Sequence, residues 1–173
     1  LEDYQSLKTT LDLSKYESGE GTVNYNSATD PEWSRSLIFA IGVHNAGICG
    51  EGTIDGDNVR NPKGEEHMRG PHTVLLAGCK DMSFCDFTVN HSANYAFLAY
   101  QIENTRYERI KINGGWDGIH VRGAKRLHIS NCKIHSGDDA LAGGYWEKAQ
   151  ITNCTLNSSC NGIRMIMPST NVH

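Results

Sequence analysis

Three aspartates are the residues of this chain most suited to chemistry. Asp138 and Asp139 are adjacent, and Asp117 precedes Asp139 by 22 residues. Neighbouring carboxyl groups raise one another's pKa, so that one can stay protonated while another is ionised. A protonated carboxyl can act as a general acid while an ionised one activates a water molecule. Hydrolysis of a glycosidic bond with inversion requires this pair of roles.

The aspartates belong to a repeat of 22 to 23 residues that runs through the C-terminal half of the chain. Two apolar columns define the repeat: Phe84, Tyr107, Ile129 and Ile151, and Val89, Ile112, Ile134 and Leu156. Asn94, Asp117, Asp139 and Asn161 each follow the second column by five residues. A fixed period of this size with short apolar alternation predicts a stacked all-β solenoid with rungs of about 22 residues. Stacking would place Asp117 one strand spacing, about 4.8 Å, from the Asp138–Asp139 pair.

A short strand is predicted directly after the acidic position of each rung. Alternation along it predicts one inward column, Ala96, Ile119, Leu141 and Ile163, and one outward column, Phe97, His120, Ala142 and Arg164. The same alternation would point Asp117 and Asp139 inward. We therefore expect a bend before the strand that turns these carboxylates outward, with Gly114, Gly115 and Gly137 providing the flexibility.

Composition excludes several classes of function. The chain has 173 residues, 21% of them charged, with a net charge of −4, which indicates neither a nucleic-acid partner nor an acidic membrane surface. No apolar run approaches the roughly 18 residues that span a bilayer. The six cysteines contain no CxxC pair, so zinc is not indicated. We expect no metal and no cofactor, and we interpret Cys132 and Cys154 as stacked interior thiols.

The repeat suggests a division of the chain into two parts. Residues 1–35 lack a clear period and are interpreted as an irregular N-terminal excursion, whereas residues 36–173 form the solenoid. The polar stretch 57–71 is predicted to be a loop lying over one side of it. Neither end shows an amphipathic capping helix, so we expect a solenoid that is incomplete at both ends. Further rungs of a longer protein, or another chain, would complete it.

Three motifs resemble those of the polygalacturonase-type glycoside hydrolases, family 28. They are Gly52-Thr53-Ile54-Asp55-Gly56, Trp116-Asp117-Gly118-Ile119-His120-Val121 and Ser136-Gly137-Asp138-Asp139-Ala140-Leu141-Ala142. The resemblance extends over roughly residues 36–165. It implies a right-handed parallel β-helix that cleaves α-glycosidic bonds in pectin or a related polysaccharide with inversion. It also implies that Asp138 is the general acid, that Asp117 and Asp139 hold and activate water, and that the protein is secreted or periplasmic.

Nine further residues are predicted to contact the carbohydrate. They are His91, Tyr95, Trp116, His120, Arg122, Tyr145, Trp146, Asn161 and Arg164. Aromatic faces suit stacking on sugar rings, and arginines can bind a sugar carboxylate or sulfate in a bidentate manner. The family's Gly-His-Gly motif is replaced here by Cys160-Asn161-Gly162, and its Arg-Ile-Lys motif would lie beyond His173. The sequence therefore leaves open a sugar other than a uronate.

Two alternatives remain open at this point. A β-helical polysaccharide lyase needs a base, often with calcium and a basic residue such as Arg122, Arg164 or Lys133. A non-catalytic solenoid could bind carbohydrate at the cell surface or in a phage fibre. An unsaturated product distinguishes the lyase, and an Asp138→Asn variant with unchanged turnover argues against the hydrolase.

Overall fold

The computed structural model describes residues 32–173, which form a parallel β-solenoid of about four turns with rungs of about 22 residues. The structure confirms the fold class that the repeat predicted. Of the predicted N-terminal excursion, residues 1–31 lie outside the described residues. The division at residue 35 and the incompleteness of the solenoid at both ends stay predictions.

Fourteen strands and one turn of 3₁₀-helix are the regular elements of the described part of the chain. In chain order the strands are β1 (Ser36–Ile41), β2 (His44–Cys49), β3 (Thr53–Asp55), β4 (His72–Ala77), β5 (Lys80–Cys85), β6 (Thr88–Asn90), β7 (Phe97–Glu108), β8 (Lys111–Asn113), β9 (Ile119–Ser130), β10 (Lys133–Ser136), β11 (Leu141–Thr152), β12 (Thr155–Ser158), β13 (Ile163–Met165) and β14 (Thr170–Val172). The 3₁₀-helix Glu65–His67 lies in the stretch 57–71. None of the helices in residues 32–173 is long and apolar enough to cross a membrane.

The strands form two parallel sheets that enclose the lumen of the solenoid. β3, β6, β8, β10 and β12 form the smaller sheet, and the other nine strands form the larger one. The predicted apolar columns are in register, since Phe84 pairs with Tyr107, which pairs with Ile129 on the next rung. Most of their members are fully buried, and each such side chain contributes about 1.5–3 kcal/mol to folding. Burial of these columns in the lumen therefore stabilises the stacking of the rungs.

Each rung bends at residues in the left-handed region of backbone space. Residues at equivalent positions of successive rungs share this conformation. One such column consists of Gly78, Gln101, Gly123 and Tyr145, with φ of 61°, 51°, 96° and 54°. A second column contains Asn45, Asp81, Asn104, Arg126 and Lys148, all with positive φ. Left-handed residues interrupt the strand without breaking the ladder between rungs. They let the long strands β7, β9 and β11 wrap around the lumen.

The register differs from the predicted one at a single place. Asn113 pairs with Asn90, a separation of 23 residues, whereas Ile119 pairs with Phe97, a separation of 22. The extra residue therefore lies between Asn90 and Phe97. As a result Phe97, and not Ala96, stacks on Ile119 in the lumen, so the prediction that Phe97 points outward is wrong. Leu98 takes the outward position beside His120.

A second apolar cluster covers the outer face of the larger sheet. It consists of Trp33, Leu75, Ala77, Tyr95, Leu98 and Tyr100, all of them buried. The Trp33 indole Nε1–H donates to the Tyr100 hydroxyl at 2.9 Å, which fixes the indole against the sheet. His72 lies at the edge of this cluster, fully buried, with its ring 4.6 Å from that of Trp33. Trp33, shortly before β1, thus helps to remove the outer face of β4 and β7 from solvent.

One disulfide joins neighbouring rungs among the described residues. Cys49 on β2 and Cys85 on β5 are paired in register and are bonded, with their Cα atoms 4.5 Å apart. Cys132 and Cys154 carry free thiols, as the ladder interpretation predicted. The Cys132 thiol donates to the carbonyl oxygen of Ser130 at 3.3 Å, as expected of an interior thiol.

We expect acid to destabilise the fold through His72. Burial lowers its pKa to about 3 from an ordinary value of 6.5, and its Nδ1 accepts the Tyr95 amide N–H. The native state keeps this ring neutral, while the unfolded chain takes up a proton below pH 6.5. The free energy of unfolding should therefore fall as the pH falls from 6.5 towards 3, by up to about 1.4 kcal/mol per pH unit from this group.

His72→Asn, which keeps the acceptor, should have a shallower slope in urea titrations. His44→Asn on the exposed part of β2 should keep the wild-type slope, and equal slopes for all three proteins would contradict the assignment.

Candidate active site

The three aspartates meet at the ends of the turns that lead into β9 and β11. The Asp139 amide N–H donates to Asp117 Oδ1 at 3.2 Å, so the two carboxylate-bearing positions are stacked on adjacent rungs. Asp117 and Asp139 are each 2% exposed, whereas the Asp138 side chain is 27% exposed. The rung register thus brings the carboxylates together as the sequence predicted, with Asp138 the most accessible of them.

Glycines before the aspartates allow the turns to stack this closely. Gly114 and Gly115 have φ of 76° and 84°, a conformation that side chains disfavour. A Cβ atom on Gly137 would lie 2.5 Å from the carbonyl oxygen of Gly115 on the rung below. Gly137 is therefore required for close approach, and Gly115 for the left-handed bend. The bend turns Asp117 away from the lumen and towards His120 on the outer face.

A buried chain of hydrogen bonds orients Asp117. The Arg122 Nε–H donates to His120 Nε2 at 3.2 Å, and arginine cannot accept, so Nε2 is unprotonated. The proton of the neutral imidazole is therefore on Nδ1, which lies 2.6 Å from Asp117 Oδ2 and donates to it. Tyr95 stacks on the His120 ring at a centroid distance of 4.9 Å. The tautomer and orientation of His120 are thus fixed from both sides.

Opposing effects act on the charge of Asp117. Burial, followed by the charges of Asp138 and Asp139, raises the pKa of Asp117 to about 8. The hydrogen bond from the Asp139 amide and the charge of Arg69 act in the opposite direction. Burial, followed by the charge of Arg122, holds the pKa of His120 well below its ordinary value, so this ring is neutral. The cluster therefore holds its proton at an acidic group and not at the imidazole.

Two residues of the following rung contact Asp139. Asn161 Nδ2–H donates to Asp139 Oδ1 at 2.7 Å, and Arg164 Nη1 lies 3.4 Å from Asp139 Oδ2. The Arg164 side chain is 56% exposed and so remains accessible from solvent. The structure therefore brings Asn161 and Arg164 to the cluster, where the sequence predicted substrate contacts.

Arg69 belongs to the cluster, although the sequence analysis did not single it out. Its guanidinium Nη2 lies 3.2 Å from Asp138 Oδ2, and its Cζ lies 3.9 Å from the centroid of the Trp116 ring. Glu65 and Glu66 also pair with it, at 3.2 and 3.1 Å. Arg69 and Asp138 are 69 residues apart, so the sequence does not indicate that they meet. The nearby sequence shows only that Glu65 and Glu66, four and three residues before Arg69, could form ion pairs with it.

A cleft of about 480 Å³ lies beside the carboxylates. Asn58, Arg60 and Met68 of the stretch 57–71 form one wall, and Ala93, Gly115, Trp116 and Gly137 of the rungs form the rest. Because Gly137 and Trp116 directly precede Asp138 and Asp117, the cleft opens next to the cluster. It is large enough to receive a sugar ring.

Three other predicted contact residues lie in different surroundings. Trp146 is 1% exposed in the lumen, where its Nε1–H donates to the Val121 carbonyl oxygen at 2.8 Å. A sugar cannot reach it, so the prediction that Trp146 stacks on substrate is wrong. Arg122 is buried behind His120, with its Cζ 5.6 Å from the Trp33 ring, and therefore supports the site from within. Tyr145 occupies a left-handed bend of β11, where its amide donates to the Pro168 carbonyl oxygen.

His91 also has a partner outside the carboxylate cluster. Its Nδ1 lies 3.2 Å from Asp55 Oδ1 on the outer side of the turn, and both side chains are more than half exposed. The contact of His91 with substrate stays a prediction.

An exposed thiol stands next to the aspartates. One potential ligand atom from each of Asp138, Asp139 and Cys160 lies within 4.8 Å of the others. Partial desolvation and the charges of Asp139 and Asp138 raise the pKa of Cys160. A single thiol beside two carboxylates is not in itself a metal site, and the expectation of no metal stays a prediction.

Comparisons with known proteins agree with the family resemblance of the sequence motifs. The model of the glycosyl hydrolases family 28 matches residues 5–163. A polygalacturonase of Juniperus ashei is 28% identical over 97 residues, which are 53% of this chain and 18% of that protein. The chain thus spans less than a fifth of the length of this relative.

Among solved structures, a protein from Parabacteroides merdae ATCC 43184, named as a candidate glycosyl hydrolase, is 20% identical with a TM-score of 0.42. The similarity covers 80% of this chain and 61% of that one. The family match extends over most of the sequence and includes all three aspartates. The chain therefore belongs to the glycosyl hydrolases family 28.

Proposed function

We propose that this chain is the catalytic part of an inverting glycoside hydrolase that cleaves α-glycosidic bonds in a pectin-like polysaccharide. The observation that carries the proposal is the stacking of Asp117 against Asp139, with Asp138 beside them and partly exposed. Family membership and the similarity to a polygalacturonase support the reaction class and the kind of substrate.

The proposed mechanism assigns one role to the exposed carboxyl group and another to the two buried ones. Asp138, the exposed carboxyl, donates its proton to the glycosidic oxygen as the bond to the anomeric carbon breaks. Asp117 and Asp139 hold a water molecule, and Asp139 takes its proton as the oxygen attacks the opposite face of that carbon, since burial and the neighbouring charges raise the pKa of Asp117 to about 8. His120 donates to Asp117 and keeps it oriented for this step. Atoms and charge balance, because one proton leaves the acid and one is gained from water.

The cations of the site favour a substrate that carries negative charge. Arg164 is largely exposed beside Asp139, and Arg60 lines the neighbouring cleft. A guanidinium binds a carboxylate in a bidentate manner, so a uronate residue fits this position. Asn161, which stands where the family has histidine, is a neutral hydrogen-bonding group that would contact a sugar hydroxyl.

We also propose that the protein acts outside the cytoplasm. A polymeric substrate and the Cys49–Cys85 disulfide support this location, because disulfides persist in oxidising compartments.

Asp138→Asn should lower kcat on polygalacturonate by about 10²–10⁴-fold, since a general acid contributes on that order. Reducing ends measure the rate, and NMR of the first product gives the anomer, which should be inverted. Asp86→Asn, on a surface Asp86–Arg109 pair, should keep wild-type activity. An ultraviolet-absorbing unsaturated product would show a lyase. Retained glycan binding with no turnover in either protein would show a binding module.

Labelling of Cys160 should inhibit the enzyme. The experiment uses a Cys154→Ser background, because Cys154 is a second free thiol that is partly accessible to a labelling reagent. A bulky maleimide on Cys160 should abolish hydrolysis, and oligogalacturonate should slow the labelling. Adding Cys160→Ser should prevent inhibition. Complete labelling of Cys160, located by peptide mapping, with full activity would place substrate elsewhere.

A further inference from the structure

We propose that Arg69 is a positioning residue that holds Asp138 in an ion pair between catalytic cycles and transfers to Glu65 and Glu66 when Asp138 carries its proton. This inference rests on the proposed function, in which Asp138 is the general acid. The stretch 57–71 would then be part of the catalytic apparatus and not only a wall of the cleft.

Arg69 contacts three carboxylate side chains, which is more than the charge of one guanidinium requires for balance. Asp138 and Glu66 both contact Nη2, at 3.2 and 3.1 Å, while Glu65 contacts Nη1 at 3.2 Å. The guanidinium stacks on Trp116, and the side chain is only 5% exposed. A small movement therefore exchanges one carboxylate for another without returning the charge to water.

Packing fixes the backbone that carries Arg69. A Cβ atom on Gly64 would lie 2.0 Å from the Arg69 carbonyl oxygen, and one on Gly70 would lie 2.0 Å from that of Val59. The Gly70 amide donates to the Ala93 carbonyl oxygen at 3.0 Å, which ties the stretch to a rung. Only the side chain of Arg69 is left to change partners.

The chemistry of a general acid requires such an exchange. A carboxyl that is about to donate a proton is neutral, so it no longer balances the charge of the guanidinium facing it. A buried arginine without a counter-ion is costly. Glu65 and Glu66 supply that counter-ion and so make protonation of Asp138 compatible with Arg69 in place. Once the proton has left, Arg69 again pairs with the ionised Asp138.

Other charged and titratable groups surround the same carboxylates. Asp117, Asp139, His120 and Arg122 face them from the rungs, Cys160 and Arg164 from the next rung, and Tyr95 from the rung below. The charge of Arg69 also lowers the pKa of Asp117. Removing Arg69 should therefore affect the titration of the whole cluster in one direction.

The test uses two variants with opposite expected effects. Arg69→Met removes the charge, so the basic limb of the pH profile of kcat/KM should move to higher pH by about one unit or more. The double variant Glu65→Gln, Glu66→Gln removes the alternative partners, so the limb should move to lower pH. Arg69→Lys keeps the charge and should keep the wild-type limb. A purely structural role for the stretch would not give shifts of opposite sign.

Carbon-13 NMR titration of the aspartate carboxyl signals gives the same comparison without turnover. The midpoints of the cluster should rise in Arg69→Met and fall in the double glutamine variant. Arg109→Met, which removes an exposed arginine paired with Asp86, is the matched control and should change nothing. Unmoved midpoints, or shifts of the same sign in both variants, would overturn the inference. If the midpoints move as expected while Asp138→Asn keeps full activity, the proposed function fails, whereas the electrostatic coupling of Arg69, Glu65 and Glu66 to the aspartates stands.

Discussion

The hydrogen-bonded register between adjacent rungs is the constraint on which the site depends. The Gly118 amide donates to the Asp139 carbonyl oxygen at 2.9 Å, and the Asp139 amide donates to the Asp117 carboxylate. These bonds place side chains 22 residues apart within hydrogen-bonding distance. A slip of one residue would send one of the carboxylates to the lumen, because side chains alternate between the two faces. The lumen columns prevent that slip.

Gathering carboxylates in a buried place is costly, and the surrounding elements compensate for it. Arg69 comes from the stretch before β4, Arg122 acts through His120 on β9, and Arg164 comes from β13. Arg69 contacts Asp138 and Arg164 contacts Asp139, whereas Arg122 contacts His120, the hydrogen-bond partner of Asp117. The aspartates therefore keep distinct environments, which a division of labour between acid and base requires. The solenoid supplies this separation because each rung contributes its own side chain to one surface.

The outer face of the larger sheet serves two purposes. At β4 and β7 the Trp33–Tyr100 cluster seals it, whereas at β9 and β11 it carries the polar network of His120 and Arg122. Tyr95 belongs to both regions, since it packs on Trp33 and stacks on His120. The apolar cluster thus forms a rigid support for the imidazole that orients Asp117. Rigidity of this kind suits the catalytic role that we propose for Asp117.

Sequence periodicity alone determined the solenoid, the lumen columns and the meeting of Asp117 with Asp138 and Asp139. The reason is that a parallel ladder converts a constant spacing along the chain into contact between rungs. The same reasoning failed where the spacing changes, and the extra residue between Asn90 and Phe97 reversed the predicted direction of Phe97. The expectation that Trp146 contacts substrate came from its aromatic character and not from the period, and its ring lies in the lumen, just after the left-handed bend at Tyr145. Only the tertiary structure brought Arg69 to Asp138, since an insertion follows no repeat and its path depends on packing against the rungs.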